Sequence, residues 1–170
     1  GAVRVKPDAC ERGVYICDLK AAGIEPAEFV SRGFGRSIRA SHSELYINSR
    51  PMNVSQYPKA GSFLKITGFG EPESNEWDSK VGKLTGGFFY EDEHPKSWKK
   101  GQQIWTHGYW AWDWSPSRER VETLDTERGF VMNAEPYGQY SFIKGQRFYF
   151  FNIIEEVTEP GDYCIDFDAG

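Results

Sequence analysis

Side chains able to act as acids, bases or stacking surfaces are concentrated between Gln102 and Trp114. Four of the six tryptophans lie there, at 105, 110, 112 and 114, with His107, Tyr109 and Asp113 among them. Asp113 is a carboxylate set among indoles. Such a group can serve as one half of an acid/base pair on a glycosidic bond when a second carboxylate stands about 5–10 Å away. No second carboxylate has a spacing that singles it out. Glu91-Asp92-Glu93 reads as an acidic turn and Glu155-Glu156 as a solvated face. The plainer role for Asp113 is to accept hydrogen bonds from indole or backbone N–H groups. His42, His94 and His107 are scattered without ligand spacing, so neither a metal nor a cofactor is expected. His107, between Trp105 and Tyr109, reads as a hydrogen-bonded histidine rather than a base. Gly33-Phe34-Gly35 lacks the third glycine and the helix of a phosphate loop. No nucleophile elbow occurs. No catalytic residue is therefore assigned.

Read as a strand, the 102–114 stretch alternates its side chains between two faces. Ile104, Trp110, Trp112 and Trp114 are expected on one face, and Trp105, His107, Tyr109 and Asp113 on the other. Two readings follow. The stretch is a core strand whose indole N–H groups find partners, or it is a platform on which sugar rings stack. Trp110, Trp112 and Trp114 are expected to be buried. Trp98, Trp105, His107, Tyr109 and Asp113 are the expected contacts for a carbohydrate or a neighbouring domain.

The elements that must carry this stretch are short. Aromatic residues make up 16% of the chain, which favours strands over helices, and 18 glycines and nine prolines supply turns. No helical periodicity runs beyond two turns. Strands are expected at 13–19, 62–66, 84–90, 118–126, 129–133, 146–151 and 162–167. A hairpin is expected across Asn48-Ser49, a bulge near Val121, and single helical turns at 25–30 and, capped by Asn152, at 152–157. Residues 67–82 read as an irregular surface excursion. The fold class is all-β: an antiparallel β-sandwich or partly open barrel with one or two short helical turns, formed by residues 1–170 as one domain. The net charge of −5 argues against a nucleic-acid partner. No 18-residue apolar run exists, so no membrane span is expected. Cys10, Cys17 and Cys164 are odd in number, and one disulfide among them is left open. Cys17 and Cys164 read as buried thiols. Gly1 reads as a residue left by tag cleavage.

Several phrases in order resemble a compact domain carried by large bacterial right-handed parallel β-helix proteins that are glycoside hydrolase-like. Tyr15-Ile16-Cys17-Asp18-Leu19 with Gly23-Ile24 resembles its opening, and Glu44-Leu45-Tyr46-Ile47-Asn48-Ser49-Arg50-Pro51-Met52 through Tyr57-Pro58 resembles its hairpin. Phe63-Leu64-Lys65-Ile66, His107-Gly108-Tyr109-Trp110-Ala111-Trp112-Asp113-Trp114, and Asn152-Ile153-Ile154-Glu155-Glu156 with Pro160-Gly161-Asp162-Tyr163 complete the series. Ser49 and Gln56 depart from that pattern, which has Gly and Arg there. The resemblance implies a non-catalytic accessory domain of a secreted bacterial protein acting on polysaccharides, placed outside the cytoplasm or in the periplasm. Its partners would be the β-helix domain of the same longer chain and a glycan. It implies that the full-length protein is similar to glycoside hydrolases and polysaccharide lyases, with its reaction left open between them, and that the chain here is a piece ending before the helix. A carbohydrate-binding module and a small glycoside hydrolase built on Asp113 are the two alternatives.

Overall fold

The computed structural model describes residues 8–9, 13–38 and 42–168. Gly1 and Cys10, and the readings attached to them, lie outside the described residues. Regular structure among the described residues is strand, interrupted by 3-10 turns at Leu84–Gly86, His94–Ser97 and Ile154–Glu156.

One sheet dominates. Its strands run in the order Gln56–Tyr57, Arg147–Phe151, Trp105–Gly108, Ser117–Asp125, Phe130–Asn133, Phe88–Phe89 and Gly68–Phe69, each antiparallel to its neighbour. Leu64–Lys65 pairs with the other end of Arg147–Phe151, and Arg32–Gly33 pairs with the start of Ser117–Asp125. The long strand Ser117–Asp125 serves both halves. Its residues 117–120 pair with Trp105–Gly108, and its residues from Val121 onward pair with Phe130–Asn133. A register shift between Val121 and Thr123 is the expected bulge, and it bends the strand where the sheet changes direction.

The consequence is visible in the packing. Phe88 and Phe148 lie on strands separated by three others, which in a flat sheet would put them almost 20 Å apart. Their rings are 4.9 Å apart. The sheet therefore folds over on itself without closing, and the two inner faces meet through Phe88, Tyr90, Val131, Phe148, Phe150 and Ile153. This is the expected all-β, sandwich-like class. A smaller cluster of Phe29, Trp105 and Phe151 covers the opposite face of the first half.

Several local expectations change. Residues 25–30 form no helical turn, because the N–H and C=O of Ala27 both bond to Ser43, which holds the segment extended and delivers Phe29 to its cluster. Asn152 does not cap the following turn. It adopts φ 65° and sends its amide to the carbonyls of Gln103 and Ile165. The 67–82 stretch is not irregular: it contains a hairpin, Glu73–Glu76 with Ser79–Gly82, turned by Trp77 and Asp78. The first and last strands shrink to Tyr15–Ile16 and Asp162–Tyr163, and the latter pairs in parallel with Asn53–Val54. The Asn48-Ser49 hairpin forms as expected. Cys17 and Cys164 are half-buried rather than buried, and burial, with Asp166 and Glu155 nearby, pushes Cys164 up to about 11.

The tryptophan-rich strand stops at Gly108. Tyr109 N–H still donates to the Arg147 carbonyl, but the Trp110 ring then folds back over Gly108. A Cβ at position 108 would sit 2.4 Å from the Trp110 ring carbons, so only glycine leaves room. We expect Gly108→Ala to cost about 1–3 kcal/mol, the usual penalty for an overpacked core, with an unchanged urea midpoint as the result that would refute this packing.

Candidate functional site

Because the strand ends at Gly108, the alternation expected beyond it does not occur. Trp110 is buried, but Trp112 is half-exposed and Trp114 is 58% exposed. Residues 112–115 form a tight turn in which the Ser115 N–H and hydroxyl both donate to the Trp112 carbonyl. This turn presents Trp114 to solvent. Its ring lies 4.9 Å from Phe34 and 5.4 Å from Tyr140.

Trp77 joins the same surface from another direction. It stands at the tip of the 73–82 hairpin, where Trp77 (φ 51°) and Asp78 (φ 59°) are both left-handed, as a two-residue turn matched to strand twist demands. Asn-Gly is the usual choice there. A tryptophan in this region is strained by roughly 1–2 kcal/mol. Its ring reaches Trp112 at 5.3 Å and Tyr140 at 6.0 Å, and it remains 45% exposed. Phe34, Trp77, Trp112, Trp114 and Tyr140 thus form a continuous solvent-facing aromatic patch. Apart from Phe34 and Tyr140, whose planes differ by 27°, the rings tilt against one another, with interplanar angles of 64° for Trp77 and Trp112 and 76° for Trp114 and Tyr140, so the patch is faceted rather than flat.

The expected contact residues are divided. Trp98 is 7% exposed and donates its indole N–H to Glu156 at 2.8 Å. Trp105 is 4% exposed, between Phe29 and Phe151. Neither ring can meet a ligand, which corrects the expectation for both. They are covered by segments distant in sequence, and no local pattern records that. Tyr109 is half-buried beneath Arg147, whose guanidinium lies 4.0 Å from the ring. Asp113 is exposed and takes the other side of Arg147 in a 2.6 Å ion pair. His107 lines a cleft of about 360 Å³ together with Arg32, Gly33, Arg36 and Arg118. Burial first, and the Arg118 charge second, hold His107 down at about 4.

Two carboxylates are buried against expectation: Glu119, which the sequence did not single out, and Glu156, which is 4% exposed and so corrects the reading of Glu155-Glu156 as a solvated face. Glu156 accepts from Trp98 and pairs with His94 Nε2 at 2.6 Å, while the His94 ring stacks on Tyr57 at 4.2 Å. Tyr57 in turn donates to Asp92, and burial with that bond pushes Tyr57 up to about 12. This set ties the 94–97 and 154–156 turns together. Glu119, 1% exposed, receives Ser117 Oγ at 2.5 Å on Oε1 and Arg36 at 2.7 Å on Oε2. Ser117 Oγ itself accepts the Trp110 indole N–H at 2.7 Å. With both oxygens occupied and no solvent access, Glu119 is a structural carboxylate rather than an acid available to a substrate. Among the described residues, no group of His, Cys, Asp and Glu is arranged to hold a metal ion, and no helix is long and apolar enough to cross a membrane. No protein-family model matches the chain, and neither a curated protein nor a solved structure matches it.

Burial raises Glu119 to about 7, outweighing its bonds to Ser117 and Arg36. The folded state therefore holds this proton more tightly than the unfolded chain. The associated stability is present below the unfolded carboxylate pKa and is lost as pH rises through about 7. His107, held low, acts in the opposite direction, but only below the ordinary histidine pKa. Urea midpoints should therefore fall from about pH 6.5 to pH 8, and Glu119→Gln should flatten that slope. An equal slope in the variant would assign it to other groups.

Proposed function

We propose that this domain is a non-catalytic accessory module that holds a glycan for a larger polysaccharide-acting protein. The single observation that supports the reading most is the exposed patch of Phe34, Trp77, Trp112, Trp114 and Tyr140. Indole and phenol rings offer broad apolar faces to the C–H side of a sugar, with a polar edge left for water or hydroxyls. Exposed aromatic clusters of this kind ordinarily mark an interaction site. The strained backbone at Trp77 supports the same reading, since strain that persists in a folded protein collects at working surfaces. The resemblance to the accessory domain of β-helix proteins supplies the polysaccharide, and with it a place outside the cytoplasm. The tilt of the rings favours a soluble, bent or twisted chain over a flat crystalline surface, which would need coplanar rings.

The test is a titration of the domain with neutral oligosaccharides, beside crystalline cellulose as a flat control. Trp114→Ala should weaken oligosaccharide binding at least about tenfold, as loss of a central aromatic contact does, while leaving the thermal midpoint nearly unchanged. Trp105→Ala should do the reverse and cost about 3–5 kcal/mol of stability. Binding unaffected by Trp114→Ala would overturn the assignment of the patch.

A further inference from the structure

The cleft lined by Arg32, Arg36, His107 and Arg118 adjoins the aromatic patch in sequence on both of its walls. Arg32, Gly33 and Arg36 line the cleft, while Phe34 between them packs against Trp114 and Tyr140. Pro116, Ser117 and Arg118 line the opposite wall, directly after Trp114. Arg32 and Phe34 are two residues apart, so their Cα atoms lie within about 7 Å of each other.

The register of the sheet makes the cleft cationic. His107 lies directly opposite Arg118, and Arg118 directly opposite Arg32, so the three side chains stand in one row across three strands on the same face. Like charges placed directly across a strand pair destabilise it. Neither Arg32 nor Arg118 has a carboxylate within ion-pair distance among the described residues. Arg36 is different: it is occupied by Glu119 and by the Pro136 carbonyl. His107 Nδ1 is buried without a hydrogen-bond partner among the described residues. Gly33 is required for the arrangement, because a Cβ there would lie 2.4 Å from the Pro116 carbonyl oxygen and prise the two arginine strands apart. The arginine pair, without a carboxylate partner and with Arg118 also 5.7 Å from the Phe151 ring centroid, lines a cleft of about 360 Å³ in a chain of net charge −5. The volume lies within the range of small-ligand sites.

Resting on the glycan-binding reading above, we infer that the ligand is an acidic glycan, whose carboxylate or sulfate enters the Arg32–Arg118 cleft while a neighbouring sugar ring stacks on the Phe34–Trp114 end of the aromatic patch. Guanidinium forks match the paired oxygens of either anion. The overall negative charge of the protein repels anions at long range, so the attraction is confined to this row.

Calorimetric titration with an oligogalacturonate, a chondroitin sulfate oligosaccharide and neutral xylohexaose tests the inference. The expected result is that at least one anionic chain binds about tenfold or more tightly than the neutral one, the scale of one charge-assisted hydrogen bond. The anionic arm that binds identifies the source of the charge. This preference should shrink as sodium chloride is raised, whereas neutral binding should not change. Arg32→Gln, and Arg32→Gln combined with Arg118→Gln, should abolish the preference and leave neutral binding intact. Removing the like-charge pair through Arg32→Gln should not lower the thermal midpoint, so a loss of preference in that variant is not a loss of fold. Equal affinity for charged and neutral chains, or a preference that survives the double substitution, overturns the inference while glycan binding itself stands. Absence of binding to every chain overturns both.

Discussion

The contact between Trp110 and Gly108 governs what the rest of the molecule can present. A tryptophan two residues after a strand residue would normally continue the alternation. Here it lies flat on the strand it has just left, because residue 108 has no side chain to prevent it. Its ring joins Phe88, Phe142 and Phe148 in the core, and its N–H enters the polar chain through Ser117 to Glu119 and Arg36. Once Trp110 is fixed, the turn at 112–115 must project outward. The exposure of Trp112 and Trp114 follows from the burial of their neighbour.

The same polar chain joins two surfaces. Arg36 belongs to the segment that lines the cleft, yet its charge is directed inward to Glu119. A buried ion pair of this kind contributes little net stability, since desolvation offsets the attraction, but removing one partner leaves a costly charge behind. Its effect is positional: it ties the 32–36 segment to the strand Ser117–Asp125. Arg32 and Arg118 are thereby held in register.

Three local disagreements with ordinary rules lie along the aromatic patch and the cleft. Trp77 stands in a left-handed turn, Arg32 faces Arg118, and His107 keeps an unpartnered ring nitrogen. Other exceptions lie elsewhere: Tyr90 Oη, Gln103 Oε1 and Trp105 Nε1 are buried without a hydrogen-bond partner among the described residues, and Tyr15, Tyr46 and Phe63 are exposed.

Composition and short-range pattern determined the all-β class, the predominantly antiparallel pairing, the Asn48-Ser49 hairpin and the bulge after Val121. Each depends on residues close in sequence: aromatic density, turn chemistry, a break in alternation. The placement of the tryptophans was decided by the tertiary structure: Trp110 is buried as expected, but by folding back over Gly108 rather than by alternation. Trp98 is buried because Glu156, 58 positions away, accepts its N–H, and Trp105 because Phe29 arrives from a segment held extended by Ser43. The row of Arg32, Arg118 and the neutral His107 exists only in the register that aligns the three residues. Two-residue alternation names the face of a strand for as long as the strand lasts. Where the strand ends, and what covers each face, is set by pairings between distant segments, whose energies no local window contains.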